Sequence, residues 1–367
     1  MASAEKGRLV YLTGTETVEI QEHNVPSAGP GSLVTEIVRA NVCGSELHIW
    51  GGHHPVINEA VLGHEALCRI TELGDGVETD YAGQEVSEGD IIAPVYFQTC
   101  NKCEYCRIGE FHLCNEVYDH WLQPPEDAPH FHGTFGTHYY IHPNQHFYRV
   151  PSDLDHGIAA AANCALSQIL FGFDEVGVDR GDTIAIQGAG GLGLNAIAVA
   201  NELGARSIVV EGVDGRIEKA RKFGADEVID FREYNTAEAR AERVRDLTDG
   251  LGADVAVEVA GVPSAFSEGV ELVRDGGRYL VMGNINPGKT TEFDPGTLTR
   301  KGVQIQAAIR YKPWYLLKAL NFLEKHANDY PYDELLDSIF ALNDVQEALK
   351  MSQKREVTRA SLTPHDD

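Results

Sequence analysis

The chain is poor in positive charge. Its 367 residues hold 30 Lys+Arg, of which 11 are lysine, against 56 Asp+Glu, for a formal charge of −26. Recognition of nucleic acid leans on basic clusters, and none occurs, so such partners are ruled out. The same deficit disfavours an anionic membrane surface. Also missing is any apolar run of the ~18 residues that a spanning helix needs. The opening MASAEKGRLV carries no stretch of signal-peptide length. A soluble cytoplasmic protein with a small-molecule partner is expected. Cysteine is sparse and odd in number, seven in all, with four of them crowded between positions 100 and 114. A secreted disulfide scaffold would be shorter and more evenly cross-linked, so these thiols are expected to be reduced or bound to metal.

What is present falls into two rhythms. As far as residue 150, short β-rich runs (33–42, 67–73, 90–96, 135–142) are broken by Gly, Pro, Asn and Asp, predicting a mostly antiparallel, barrel-like domain. The cysteine cluster and the turn-rich segment 115–133 interrupt it. From residue 182 strands alternate with helical segments: 183–187, 192–203, 207–211, 226–230, 233–248, 254–259, 265–273 and 277–283. Such alternation predicts βαβ units around a doubly wound parallel sheet. Helices are expected at 314–325 and 343–351.

Gly188-Ala189-Gly190-Gly191-Leu192-Gly193 fits GxGxxG between a strand and a helix. The first glycine permits the tight turn, the second lets backbone approach a pyrophosphate, and the third allows close helix–strand packing. Glu211 follows 18 residues after Gly193, placed to accept hydrogen bonds from ribose hydroxyls and to repel a 2′-phosphate. No basic residue follows it immediately, which favours NAD over NADP. Arg216 is a candidate for the adenosine side, or a solvated residue at a helix start.

Cys100, Cys103, Cys106 and Cys114 are separated by two, two and seven residues. Four thiolates suit a closed tetrahedral zinc site with no open position, a structural ion. A ferredoxin-type cluster would place its fourth cysteine three residues on and before proline, whereas Cys114 precedes Asn115. Elsewhere Cys43, His64 and Cys164 can give a Cys₂His shell whose fourth position is open, the catalytic arrangement for zinc. By spacing alone, however, an ordinary structural histidine and a buried core cysteine are the better reading. Segment 112–146 holds seven of the 15 histidines. A third metal site there competes with the plainer expectation of solvated loop histidines.

The order CGSELH, GHE, CxxCxxCx₇C, a cysteine ahead of the glycine-rich turn and GAGGLG resembles the zinc-containing alcohol dehydrogenases of the medium-chain dehydrogenase/reductase superfamily, over about residues 9–362. The resemblance implies a GroES-like catalytic domain built from residues 1–164 and 304–367, with an inserted NAD-binding Rossmann domain at 165–303. It implies that Cys43, His64 and Cys164 hold a catalytic zinc, that Glu65 can approach the metal, and that Ser45 and His48 form a proton relay. It places Arg359 at the cofactor pyrophosphate, with Arg355 a nearby competitor. It also implies two zinc ions per chain, and a homodimer or homotetramer through an edge strand near 303–309. Two positions depart from the pattern: Glu46 stands where relatives carry Asp, and Gln168 where they carry Thr.

The implied activity is hydride transfer between an alcohol and NAD. Zinc lowers the pKa of bound water from 15.7 to about 7. A comparable shift for an alcohol amounts to roughly 12 kcal/mol at 1.36 per unit. Trp50, Ile57, Tyr96, Trp121 and Phe135 are candidates for an apolar substrate pocket or for core. The long 115–133 loop favours a cyclic or bulky secondary alcohol over a small primary one. The alternatives are a polyol- or sugar-type zinc dehydrogenase and a non-enzymatic dinucleotide-binding protein. Cys164 weighs against the polyol branch, which often carries Glu in that region.

Overall fold

The computed structural model describes residues 5–283 and 287–364. The chain divides into two units. One comprises Met1–Cys164, Lys312–Ala327 and Tyr332–Asp367; the other comprises Ala165–Tyr311 and Asn328–Pro331.

Seven strands lie in the first unit ahead of Cys164: β1 (Lys6–Gly14), β2 (Thr17–Asn24), β3 (Leu33–Asn41), β4 (Ala66–Leu73), β5 (Ile91–Pro94), β6 (His138–Ile141) and β7 (Phe147–Arg149). β1 and β2 form an antiparallel hairpin. The other five, with the late strands β14 (Ser338–Ala341) and β15 (Ala360–Thr363), make a sheet ordered β14-β15-β3-β4-β5-β7, and β6 also pairs with β3. Its core packs Val10, Leu33, Ile37, Ile70, Ile92 and Tyr139 against Leu349 and Leu362 from the chain's far end. The sheet is therefore closed by residues from both ends of the sequence. β3 supplies the reason: its alternating apolar side chains need cover, and Ser361 and Leu362 of β15 pair with Asn41 and Ala40.

In the second unit β8 (Thr183–Gln187), β9 (Arg206–Glu211), β10 (Glu227–Asp230), β11 (Ala253–Glu258), β12 (Val273–Val281) and β13 (Gln304–Ala307) form a parallel sheet ordered β10-β9-β8-β11-β12-β13. That is the doubly wound dinucleotide-binding order, whose strand direction of growth reverses between β8 and β11. β14 (Ser338–Ala341) and β15 (Ala360–Thr363) return to the first unit.

Several expectations shift here. The return was expected at 304, but β13 pairs with β12 along Gln304–Ala307, so this unit continues to Tyr311. The helix expected at 233–248 is shorter, Ala237–Asp246, because Thr236 caps it by accepting the Ala239 N–H. β12 begins at Val273 rather than 277. The histidines of segment 112–146 are largely not solvated: His112, His132, His138 and His142 are buried. His142 stacks on His120 at 3.8 Å between ring centroids. Burial pushes His132 down to about 4 and His142 down to about 3.

Candidate functional site

Cys43 is the N-cap of the helix Gly44–Trp50, and its backbone N–H donates to Glu46 Oε2 at 3.1 Å. A carboxylate three residues into a helix is well placed to satisfy such an orphan amide. The other oxygen of the same carboxylate, Oε1, accepts a hydrogen bond from His64 Nδ1. One fully buried side chain thus positions both a thiol and an imidazole. Glu46 reaches His64 from the first turn of the helix.

His64 follows Gly63, whose φ of +95° is left-handed backbone. A Cβ at Gly63 would lie 2.4 Å from the Phe135 amide nitrogen, so only glycine lets the His64 segment approach the backbone at Phe135. Cys164 lies in the π-helical turn Ala162–Leu166, and its Sγ is 3.8 Å from Cys43 Sγ. The ligand atoms of Cys43, His64, Glu65 and Cys164 all lie within 4.8 Å of one another. Two thiolates held at about 2.3 Å by one tetrahedral ion would stand about 3.8 Å apart. The donors and their spacing therefore fit zinc. The Cys164 contact, assisted by His64, holds the Cys43 thiol well below its ordinary pKa despite burial.

Glu65 is buried and ion-paired through Oε2 with Arg359, while its Oε1 stands 3.8 Å from His64 Nε2 without a hydrogen-bond partner among the described residues. Burial pushes its carboxyl up to about 8 against the opposing pull of Arg359. The sequence assigned Arg359 to the cofactor; the structure commits one of its nitrogens to Glu65. Nε and Nη1 are buried without partners among the described residues, a donor edge suited to a phosphate oxygen. Ser45 Oγ is 3.4 Å from His64 Nε2. Ser45 and His48 are three residues apart on the same short helix and share a face.

Two aromatic rings border His64: Tyr96 at 4.8 Å and Trp121 at 5.7 Å between centroids. Trp121 is held by its Nε1–H, which donates to the Val61 carbonyl at 2.7 Å. Of the other pocket candidates, Trp50, Ile57 and Phe135 are core residues, fully buried in the sheet's apolar cluster. Cys68 is also core, its thiol pushed up to about 12 by burial.

The four-cysteine lobe is also drawn together, with all four sulfurs within 4.8 Å and Cys100 Sγ 3.9 Å from Cys106 Sγ. Backbone N–H groups point at the sulfurs: Cys103 N–H to Cys100, Cys106 N–H to Cys103, and both Cys100 and Glu116 N–H to Cys114. Such donors stabilise thiolates, and the Cys106 N–H brings Cys103 down to about 6. The set fits a closed zinc site.

In the second unit Gly190 caps the helix Gly191–Leu203. A Cβ at Gly193 would sit 2.0 Å from the Gly188 carbonyl oxygen, so the third glycine of the turn admits no side chain. Glu211 ends β9 beside this turn, as expected, but its carboxylate is already engaged. Oε2 accepts the Ala189 N–H at 2.9 Å, and Oε1 accepts those of Gly212 and Val213 at 2.8 and 3.1 Å. A carboxylate has about four acceptor positions, which leaves about one for a ribose hydroxyl. Arg216 Nη1 stands 4.0 Å from Glu211 Oε2.

Sequence reasoning missed Glu258. This buried carboxylate at the end of β11 accepts the N–H of Gly261 at 2.7 Å and of Gly283 at 3.1 Å, tying together the turns after β11 and β12. An acidic residue ending the apolar run Val255–Val257, three residues before Gly261, was the available signal.

Comparison with known proteins bears on these sites. A family model described as an alcohol dehydrogenase GroES-like domain matches residues 29–152, and one described as a zinc-binding dehydrogenase matches 191–325. A 5-exo-hydroxycamphor dehydrogenase of Pseudomonas putida is 32% identical over 348 residues, 94% of this chain and 95% of that one. A sorbitol dehydrogenase of Halalkalibacterium halodurans is 28% identical over 357 residues, 96% and 97% of the two chains. The crystal structure of an alcohol dehydrogenase from Thermotoga maritima superimposes with a TM-score of 0.92 at 29% identity, covering 99% of this chain and 100% of that one. The GroES-like domain and inserted Rossmann domain expected from the sequence are thus matched.

Proposed function

Because this chain belongs to the zinc-type alcohol dehydrogenases of the medium-chain dehydrogenase/reductase superfamily, we propose that it oxidises a cyclic or otherwise bulky secondary alcohol with NAD, and runs the reverse carbonyl reduction. The observation that carries the reading is the Cys43–His64–Cys164 constellation, with its 3.8 Å sulfur separation and buried Glu46 brace. Zinc bound there supplies a Lewis acid that acidifies the substrate hydroxyl, and NAD supplies the hydride acceptor.

The chain's own residues do the rest. Glu46 fixes the His64 tautomer by accepting its Nδ1–H, leaving Nε2 to face the metal. Ser45 Oγ–H would receive the substrate's proton while releasing its own, which passes via the cofactor ribose to His48 and on to solvent. Tyr96 and Trp121 form an apolar wall beside His64 that excludes water and accepts a hydrocarbon ring. The wall supports a bulky alcohol over a polyol, whose hydroxyls would need polar partners there. A relative named for a hydroxycamphor supports the same choice. Cys100, Cys103, Cys106 and Cys114 hold a second, structural zinc. Gly188, Gly190, Gly191, Leu192 and Gly193 cradle the pyrophosphate, and Glu211 selects NAD because its charge repels a 2′-phosphate. With a formal charge of −26 overall, attraction for this anion is local, from the N-terminus of the helix Gly191–Leu203. The edge strand β13, with Ile305 exposed on it and Ile309 exposed just beyond its end, is the proposed seam between copies.

The test is a panel of cyclic secondary, linear primary and polyol substrates with NAD and NADP, following absorbance of the reduced cofactor. Highest kcat/KM for cyclic secondary alcohols with NAD is expected. Preference for sorbitol-like substrates would overturn the substrate class, and no turnover by zinc-loaded protein on any alcohol would overturn the activity.

A further inference from the structure

Strand order in the parallel sheet allots places to the parts of a dinucleotide. The glycine-rich turn follows β8, and Glu211, the group suited to the adenosine ribose, ends β9 on one side of it. A dinucleotide lies across the carboxyl ends of such strands where their order reverses, here between β8 and β11. With adenosine over β9 and pyrophosphate at the turn after β8, the nicotinamide riboside is left the carboxyl ends of β11 and β12, on the other side.

One side chain joins those two ends. Glu258 is the last residue of β11 and is fully buried. Its Oε1 accepts the Gly261 N–H at 2.7 Å, and its Oε2 accepts the Gly283 N–H, just past β12, at 3.1 Å. The two turns touch: a Cβ at Gly261, where φ is +71°, would lie 3.0 Å from the Gly283 carbonyl oxygen. The turn after β11 also meets the phosphate turn. Val259 N–H donates to the Gln187 carbonyl at 3.2 Å, and a Cβ at Gly188 would lie 3.2 Å from Ala260 Cα. Burying a carboxylate is costly unless its oxygens are hydrogen-bonded, and here they are bonded to the backbone of two turns at the cofactor end of the sheet. An ionised carboxylate accepts at both oxygens, whereas an amide turns one of them into a donor facing an N–H. We propose that Glu258 is a positioning residue for the nicotinamide half of the cofactor, acting through the turns after β11 and β12 and touching no reacting atom. The inference rests on the NAD-dependent reading above. It divides the cofactor between two buried carboxylates, with Glu211 on the adenosine side and Glu258 on the nicotinamide side.

ADP carries the adenosine and the pyrophosphate without the nicotinamide riboside, so it separates the two halves. Zinc-loaded wild type and variants are titrated with ADP and with NADH by calorimetry, and kcat is measured at saturating NAD. Glu258→Gln is expected to bind ADP within about twofold of wild type and NADH about tenfold more weakly, the scale of one lost hydrogen bond to a charged group. Its kcat at saturating NAD is expected to fall as well, because a displaced ring transfers hydride poorly even when bound. Glu258→Asp keeps the charge and is expected to restore part of the NADH affinity. Gly261→Ala crowds the Gly283 carbonyl while leaving the carboxylate intact, and is expected to show the same split between ADP and NADH. Equal weakening of ADP and NADH in both Glu258→Gln and Gly261→Ala would assign Glu258 to the fold at large and overturn the positioning role. Unchanged NADH affinity and kcat in Glu258→Gln would overturn it too. Wild type that binds neither NADH nor NADPH would instead overturn the dehydrogenase reading, and this role with it.

Discussion

The two cysteine-bearing centres are built in opposite ways. The four-cysteine lobe draws every sulfur from positions 100 to 114, and backbone N–H groups of the same segment steady them. The Cys43–His64–Cys164 centre takes its groups from a helix N-cap, a glycine-dependent turn and a π-helical turn 121 residues from the first. The local centre has a shell closed by chain geometry and lacks a free position. The distributed one is held by a buried carboxylate, a buried arginine and packed aromatics, and those same neighbours make it chemically adjustable. Under the proposed function, the local knot of thiolates serves folding, and the constellation that only the finished fold can assemble serves chemistry.

That contrast predicts opposite phenotypes. Cys43→Ala should cost the largest effect, a fall in kcat/KM of about 10³ or more, equivalent to about 4 kcal/mol of lost transition-state stabilisation. Its thermal midpoint should move little. Retention of wild-type activity and of two zinc equivalents would erase the assignment. Cys103→Ala should do the reverse, destabilising by about 3 kcal/mol through loss of an ion that is part of the fold, read as a lowered thermal midpoint. Substantial activity should persist at low temperature. An unchanged midpoint would show that the lobe carries no structural ion.

The same contrast explains what could be read from the chain. The lobe and the Gly188–Gly193 turn are contiguous, so spacing alone revealed both. The parallel sheet was legible because β8, β9 and β11 are short apolar runs set between amphipathic helices. The distributed centre was not legible by spacing. His64 looks like any core histidine until Glu46, 18 residues earlier, is seen accepting its Nδ1–H. The double duty of Arg359 and the clamp made by Glu258 were hidden for the same reason: their partners lie far along the chain or on backbone amides. Burial of the 112–146 histidines escaped notice because polar composition reads as loop, whereas packing against β3 and β6 is a property of the closed sheet.

Glu46 tests how the distributed centre is held. Glu46→Gln keeps the size and an acceptor oxygen but removes the charge that strengthens the His64 contact. Loss of such an outer partner typically costs 10–100-fold in metal affinity or activity. We expect about that loss at the Cys43–His64–Cys164 site, with the four-cysteine zinc retained through dialysis. Glu46→Asp should recover part of the loss, since it keeps the negative charge on a shorter side chain. Equal zinc release from both centres in Glu46→Gln would mean that the carboxylate supports the fold at large and not this metal.

The smallest effect is expected in the second unit, where another carboxylate has both a local and a ligand-directed task. Glu211 accepts three backbone N–H groups, from Ala189, Gly212 and Val213, so its first role is to hold the glycine-rich turn. About one acceptor position remains for a ribose hydroxyl, and the negative charge repels a 2′-phosphate. Glu211→Gln preserves the shape and one acceptor oxygen but turns the other into a donor and cancels the charge. NAD binding, followed by quenching of intrinsic fluorescence, should weaken by about tenfold, the worth of one charge-assisted hydrogen bond at about 1.4 kcal/mol. NADP binding should tighten relative to NAD, with Arg216 near enough to meet the added phosphate. If both cofactors weaken alike, Glu211 acts only through the turn, and the selection of NAD must be sought in the residues that follow β9.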